Sequence, residues 1–330
     1  MSKTAVMLAL ALLACSRATP PPSEQAPRPR ATLTITPPSV SLAPGAAQRF
    51  QASLPDVLWS VREGTAGGSI DETGFYQPPA APGMYHVVAT ARGAPAVSAL
   101  ARVDVRGADL VDHGGEVMTS SSSYAIWWGV ERFPDDAPRA VEGLLAGLGS
   151  SALLALADQY MRGARATTAF AGSLFDASEP PQAPSAAEVA QEVCSVLAKN
   201  AIAPSAEAIY LVFTSTPNDG NSQCAWHSWG SCGATVIRVA LVPNPTDTAC
   251  ELEPRFRCGA LSAAAMSLAS YTSHEVLETI TNPLGTAWFD AQGEEIGDKC
   301  ASARGCTSLG GAPWELQQEW SNAANGCALP

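Results

Sequence analysis

Residues 207–215 read EAIYLVFTS, an unbroken run of apolar and aromatic side chains between polar ends. A run of this length and composition is typical of a strand that is buried on both faces of a sheet. Residues 235–242 (TVIRVALV) and 124–128 (YAIWW) have the same character. These three runs predict the strands of a sheet core.

Helical patterns interleave with these strands. Leu and Ala recur at helical spacing over residues 137–148 and 151–161, with glycines between the two segments as a break. Ser185 followed by Glu188 fits a capping box that opens a helix running to about residue 199. Two helices and a capped third therefore alternate with the predicted strands.

A longer helical segment covers residues 261–281 and is ended by Asn282-Pro283, because the residue before a proline disfavours the helical conformation. Interleaved strands and helices are typical of a mixed α/β fold. Residues 107–330 are predicted to form such a domain around a sheet.

The preceding residues, 31–106, have a different pattern. Short alternating runs are separated by Gly and Pro clusters, which predicts an all-β sandwich. The runs cover residues 32–36, 48–53, 57–61, 85–91 and 99–105. Through Trp59, the Gly74-Phe75-Tyr76 turn and the Gly83-Met84-Tyr85 strand entry, this segment resembles a bacterial Ig-like domain of the group 2 kind. The resemblance implies a spacer or adhesive unit.

The N-terminus has the features of an export signal. Lys3 precedes an apolar run of about ten residues, too short to span a bilayer, which needs about 20. The run ends in Leu-Leu-Ala-Cys15, which matches the bacterial lipobox, so residues 1–14 are predicted to be a lipoprotein signal peptide. An ordinary secretory signal with a chance cysteine is the alternative. Ser16 after the cysteine favours the outer membrane or cell surface, on the periplasmic or extracellular face, and residues 15–30 form a Pro-rich tether.

Cys15 aside, eight of the nine cysteines remain, all in the α/β part. An even number in an exported chain predicts up to four disulfides. Local pairs, Cys224 with Cys232 and Cys250 with Cys258, are the simplest hypothesis. A thiolate zinc site is the alternative, although the spacings lack CxxC pairs.

The charge and the motifs exclude several partners. The net charge is -12, which argues against nucleic acid and anionic membrane surfaces. No Gly-rich loop ends in Gly-Lys-Ser/Thr, which argues against a nucleotide. Beyond residue 14 no apolar run approaches 18 residues, so the predicted membrane attachment is the lipid on Cys15.

The segment 271–300 contains the candidate chemistry. On a helix, His274 and Glu278 lie one turn apart on one face and can share a metal ion, while Glu275 can face a metal-bound water. This is the arrangement of HExxH zinc peptidases, in which the Glu is the general base, so the domain is predicted to be zincin-like. A divalent metal, zinc in the first instance, is the expected cofactor. Because Glu278 replaces the second His, calcium and manganese stay open.

Further ligands are available outside the helix. Asp290, Glu294, Glu295 and Asp298 follow it, and Asp298 is the predicted third ligand. His227 lies in the segment Cys-Ala-Trp-His, and if it folds toward His274 a site with two His and two carboxylates results. The alternative is a surface helix with ordinary charged residues.

The C-terminal part is similar to the EXORDIUM-like (phosphate-induced protein) family over about residues 110–330. That family has an HE-x-x-E-x-x-T-N-P motif, then W-Y/F-D, then E-x-x-D-x-C. The matching residues are His274, Glu275, Glu278, Thr281, Asn282, Pro283, Trp288, Asp290, Glu295, Asp298 and Cys300. The family's other motifs resemble residues 114–119 (GGEVMT), 126–129 (IWWG), 214–215 (TS), 224–227 (CAWH), and 316–320 (LQQEW) with Cys327. Ala225 stands where Gly is usual, and residues 306–313 are shortened.

The resemblance implies a secreted protein but supplies no molecular activity. Two functions therefore stay open. The first is a metal-dependent, metallopeptidase-like hydrolase in the cell envelope, with His274, Glu278, Asp298 and His227 as ligands and Glu275 as base. The second is a non-catalytic module that binds cell-surface polysaccharide or protein, presented on an Ig-like spacer. Trp226 and Trp229, predicted to lie in a loop, are candidates for stacking on a sugar, and the serines at 120–123 are also predicted to be loop.

Overall fold

The computed structural model describes residues 32–43, 45–94, 97–129, 133–217 and 223–330. The predicted signal peptide (residues 1–14), the predicted lipid attachment at Cys15 and the predicted tether (residues 15–30) lie outside the described residues. These features of the N-terminus stay predictions.

The regular elements described between residues 32 and 106 are strands, apart from one 3-10 turn, Gly64–Gly67. The strands are β1 (Ile35–Thr36), β2 (Ser39–Leu42), β3 (Gln48–Arg49), β4 (Gln51–Ala52), β5 (Val57–Val61), β6 (Ser69–Ile70), β7 (Phe75–Gln77), β8 (Gly83–Ala91) and β9 (Ser98–Val105). They pair as β2-β9-β8-β5, β3-β7-β6 and β1-β4. Phe50, Tyr76 and Val103 are buried in one core that these strands enclose. The strand content confirms that this part of the chain is β-rich, as predicted.

Residues 107–330 alternate strands and helices. The elements are β10 (Val111–Asp112), β11 (Ser120–Trp128), α1 (Ala137–Leu148), α2 (Ala152–Ala155), β12 (Thr167–Asp176), α3 (Ala186–Lys199), β13 (Ala208–Pro217), β14 (Trp226–Cys232), β15 (Thr235–Asn244), α4 (Ala263–Thr281), β16 (Trp288–Phe289), β17 (Arg304–Leu309), β18 (Ala312–Gln317), β19 (Glu319–Ser321) and β20 (Gly326–Ala328). The described residues also contain the 3-10 turns Leu156–Tyr160 and Asp298–Cys300. The prediction of a mixed α/β fold is confirmed.

A five-stranded sheet, ordered β12-β11-β13-β15-β14, forms the centre. Four of its strands are parallel, and β14 runs antiparallel to β15 at one edge. Nearly every residue of β13 is buried, which explains the unbroken apolar run at residues 207–215. Helices cover both faces: α3 packs on one, and α1 and α4 pack on the other.

Successive side chains of β11 alternate between these two layers. Trp127 lies in the core under α1 and α4, whereas Trp128 lies in the core under α3. The alternation follows from the two-residue period of a strand. The two tryptophans are therefore divided between the faces of the sheet.

The helix signals in the sequence correspond to real caps. Ser185 accepts a hydrogen bond from the backbone N–H of Glu188, and the Glu188 side chain accepts one from the backbone of Ser185, so the capping box is present. Helix α4 begins at the Ser262 cap and ends at Asn282. Among the described residues, no single helix is long and apolar enough to cross a membrane. Helix α1 and the segment Ala152–Tyr160 together have the length and composition of a membrane span, but they are bent by 56° relative to each other.

Two predicted loops are strands. The serines at 120–123 form the first half of β11 and pair with β12 and β13. Trp226 and Trp229 lie on β14. The small polar residues of these segments carry no local strand signal, and the neighbouring strands supply the hydrogen-bonded ladder.

The eight cysteines form four disulfides: Cys194–Cys232, Cys224–Cys250, Cys258–Cys306 and Cys300–Cys327. The local pairings Cys224–Cys232 and Cys250–Cys258 are wrong, and the thiolate zinc site has no free thiolates left among these eight. Instead, bridges from both ends of β14 tie it to α3 and to the chain after β15. Four disulfides indicate an oxidising compartment.

Candidate metal centre

Helix α4 carries the candidate residues and is buried along nearly its whole length. Several of its small hydroxyl residues donate to backbone carbonyls of the preceding turn: Thr272 donates to the carbonyl of Leu268 at 2.7 Å, and Thr281 donates to that of Leu277 at 2.9 Å. A helix with apolar and self-satisfied polar residues can lie between the sheet and the C-terminal strands. The ionisable groups of its last turns are then enclosed by protein.

His274 and Glu278 meet as their four-residue spacing predicts. The His274 Nε2 lies 3.2 Å from the Glu278 Oε2. Glu275, also buried, has its Oε1 3.7 Å from the same nitrogen. The three HExxE side chains therefore converge on one point.

His227 reaches this point from the edge strand β14. Its register partner on β15 is Ala240, which belongs to the core under α4, so the imidazole faces the helix. The His227 Nε2 lies 3.0 Å from the Glu295 Oε2 and 3.8 Å from the Glu278 Oε2. The structure thus brings His227 and Glu278 together across the helix–sheet interface.

The segment after α4 holds two of the carboxylates in place. The side chain of Asn282 donates to the Glu295 Oε1 at 2.5 Å and accepts from the backbone N–H of Ala287 at 2.6 Å. The backbone N–H groups of Gly297 and Asp298 donate to the Glu278 Oε1 at 3.2 and 3.0 Å. One oxygen of each carboxylate is fixed, and the other faces a histidine.

Asp298, the predicted third ligand, lies at the margin. Its Oδ1 is 3.8 Å from the His274 Nε2, and its side chain is about half exposed. Asp290 is turned away, because it pairs with Lys299 at 2.6 Å and accepts backbone hydrogen bonds from Gln292 and Glu294. Glu295, and not the predicted Asp298, is therefore the acid of this segment that lies closest to a histidine.

Two residues of the site escape sequence analysis. The side-chain nitrogen of Gln317, on β18, lies 2.8 Å from the His274 Nδ1 and donates to the carbonyl of Gly297 at 2.8 Å. Glu319, on β19, is fully buried and in electrostatic contact with His274, Glu278 and Glu275. The LQQEW motif contains both residues, but nothing in it points to His274.

The charges of the cluster shift the two histidines in one direction. Burial lowers the pKa of His227, but its hydrogen bond to Glu295 and the charges of Glu295, Glu278 and Glu275 outweigh burial and raise the pKa to about 9. Burial also opposes the charged form of His274, and the carboxylates of Glu278 and Glu275 hold its pKa well above the ordinary value. Positive charge is therefore favoured between these acids.

The acids respond to burial and to one another. Burial raises the pKa of Glu275 to about 8 and that of Glu319 well above its ordinary value. Burial and the nearby charge of Glu278 also raise the pKa of Asp298. Glu278 is the exception: burial is outweighed by His274, so its pKa is lowered. Glu278 is the carboxylate that stays ionised at the centre of the cluster.

Several buried polar atoms at this point have no hydrogen-bond partner within the described part of the chain. They are the Glu275 Oε2, both carboxylate oxygens of Glu319 and the His227 Nδ1. Buried polar groups are almost always paired, so unpaired ones need an explanation. Carboxylate and imidazole donors around a surplus of acids are the set that binds a divalent cation. The residues therefore fit a metal.

Gly297 is the residue that leaves room for the His274 ring. A Cβ at this position would approach the His274 Cε1 to 2.7 Å, and the backbone φ of -84° is one that alanine adopts freely. We expect Gly297→Ala to displace the imidazole and lower affinity for a divalent cation about 10–100-fold. Competition with a fluorescent chelator measures this.

The matched control for that variant is Gly326→Ala, since nothing lies within 4 Å of a Cβ there. The control is expected to bind metal like the wild-type chain. Equal affinity of Gly297→Ala and Gly326→Ala would show that the position of His274 does not matter for metal binding.

Comparison with known proteins adds no assignment. The resemblances to the EXORDIUM-like family and to group 2 Ig-like domains therefore stay predictions from motif order, and function is argued from the site itself. No family model and no curated protein matches the chain.

Proposed function

We propose that this protein is an exported metal-dependent hydrolase with a zincin-like site. The observation that carries the proposal is the approach of two imidazole nitrogens to one carboxylate oxygen: the Nε2 atoms of His274 and His227 lie 3.2 and 3.8 Å from the Glu278 Oε2. Beside them lies a buried carboxylate, Glu275, whose Oε2 is unpaired among the described residues.

His274, His227 and Glu278 are the proposed ligands, with Glu295 and Asp298 as further donors. Imidazole and carboxylate donors bind zinc, and the extra carboxylates accommodate manganese. A bound divalent cation polarises a carbonyl or phosphoryl oxygen and lowers the pKa of water. Glu275, whose Oε2 has no hydrogen-bond partner among the described residues, is the proposed proton acceptor through that oxygen.

Lipidation on Cys15 and an Ig-like spacer complete the proposal. The spacer would hold the catalytic part away from an outer-membrane or cell surface, so the substrate would be a polymer of the envelope or a secreted peptide. Four disulfides, which persist in oxidising compartments, support an extracytoplasmic location.

The proposal is tested on oxidatively folded protein that starts at residue 16. We expect at least one equivalent of zinc or manganese per chain by elemental analysis, a lower metal content in His274→Ala, and hydrolysis of at least one member of a peptide, ester and glycan panel. A folded wild-type chain that takes up no divalent metal would contradict the proposal of a metal-dependent hydrolase.

One observation favours the second function, a binding module. Trp229 on β14 is 50% exposed and lines a cleft of about 650 Å³ between β14 and α3, with Gln191 and Pro204. An exposed indole beside a polar amide suits a sugar ring. Glycan binding that is lost on Trp229→Ala but survives both chelation and His274→Ala would favour this function.

A further inference from the structure

We infer that the site holds two divalent cations bridged by Glu278, rather than one. This inference rests on the proposed metal-binding function and extends it. The potential ligand atoms form two groups, and within each group they lie within 4.8 Å of one another. The first group is His227, Glu278 and Glu295; the second is His274, Glu275 and Glu278.

The two histidines belong to different groups, and only Glu278 belongs to both. Within a group the spacings suit one ion, because donors about 2.1 Å from a metal lie roughly 3–4 Å apart. His227 Nε2 is 3.0 Å from the Glu295 Oε2, and His274 Nε2 is 3.7 Å from the Glu275 Oε1. Each histidine thus has its own carboxylate and shares the third.

Glu278 is held in a position to bridge. Its Oε1 is occupied by the backbone N–H groups of Gly297 and Asp298. Its Oε2 faces both imidazoles, at 3.2 Å from the His274 Nε2 and 3.8 Å from the His227 Nε2. A single carboxylate oxygen between two ions fits the spacing of about 3.5–4 Å found in two-metal hydrolases.

A bridged pair of cations widens the substrate class. Two-metal sites clamp both the attacking and the leaving oxygen, and they serve phosphatases and nucleases as well as aminopeptidases. Phosphate esters therefore belong in the substrate panel beside peptides.

The test is a metal titration of the full chain from residue 16, made metal-free and then dialysed against Mn²⁺. Elemental analysis is expected to give two ions per chain, and electron paramagnetic resonance is expected to show the exchange-coupled spectrum of neighbouring Mn²⁺ ions. One ion per chain with an uncoupled spectrum would overturn the bridged pair and leave the proposed function standing. No bound ion in a folded chain would overturn both.

Single-site variants locate the two ions. His227→Ala and His274→Ala are each expected to retain one Mn²⁺ and to lose the coupled spectrum. His113→Ala is the control, because this ring stacks on Phe289 outside both ligand groups and should leave two coupled ions. Two coupled ions in both histidine variants, each folded by circular dichroism, would contradict the assignment.

Discussion

Glu275→Gln is expected to lower kcat of the hydrolase about 10²–10⁴-fold, the usual contribution of a general base. The substitution removes the ability to accept a proton but preserves the volume of the side chain and an oxygen atom at the position of Oε1. Bound metal, measured by elemental analysis at saturating Mn²⁺, should therefore stay close to the wild-type level. The rate is followed on whichever panel substrate the wild-type chain cleaves.

Two comparisons make this prediction specific. Glu294→Gln removes an exposed acid from the nearby loop and should change kcat by less than twofold. Unchanged turnover in Glu275→Gln would remove the general-base role. Lost metal together with lost turnover would make Glu275 a ligand only.

The sequence was informative wherever a segment is buried in a regular element. The strand at residues 207–215 and the helix after Ser185 were predicted correctly, because burial on two faces and a capping box leave direct traces in the residue pattern. Strand β14 was missed, since it lies at the sheet edge and is held by β15 and two disulfides. Gly310-Gly311, with φ of 58° and 80°, forms the two-residue turn between β17 and β18, and a Gly-Gly pair is a sequence signal for such a hairpin.

The same distinction applies to the site. His274, Glu275 and Glu278 come from one helix, so their spacing alone predicts that they meet. Glu295 is one of four acids that follow the helix, and the sequence analysis selected Asp298 instead, because the hydrogen bond from Asn282 that positions Glu295 depends on a turn. Gln317 and Glu319 arrive from strands far along the chain, and only tertiary packing brings them to His274.

Glu315→Ala is expected to have the largest effect on stability, about 3–5 kcal/mol lower free energy of unfolding. Glu315 and Arg304 form an ion pair at 3.2 Å with both side chains almost fully buried. The carboxylate also accepts backbone hydrogen bonds from Arg255, Phe256 and Arg257 at 2.9–3.2 Å. Truncation strands a buried guanidinium and three N–H groups at once. Urea unfolding of the oxidised chain measures the loss.

A double-mutant cycle separates the contribution of the Glu315–Arg304 ion pair from that of the backbone hydrogen bonds of residues 255–257. Because Arg304→Met removes the charge that Glu315→Ala would strand, the double variant should be more stable than the sum of the single losses predicts. Additive losses would show that the backbone hydrogen bonds, and not the ion pair, dominate. Glu315 lies on β18, two residues before Gln317, whose side chain contacts the His274 ring. When the ion pair with Arg304 is broken, this strand loses the contacts that fix its position beside His274. We therefore expect Glu315→Ala to weaken metal binding even at temperatures where the chain stays folded.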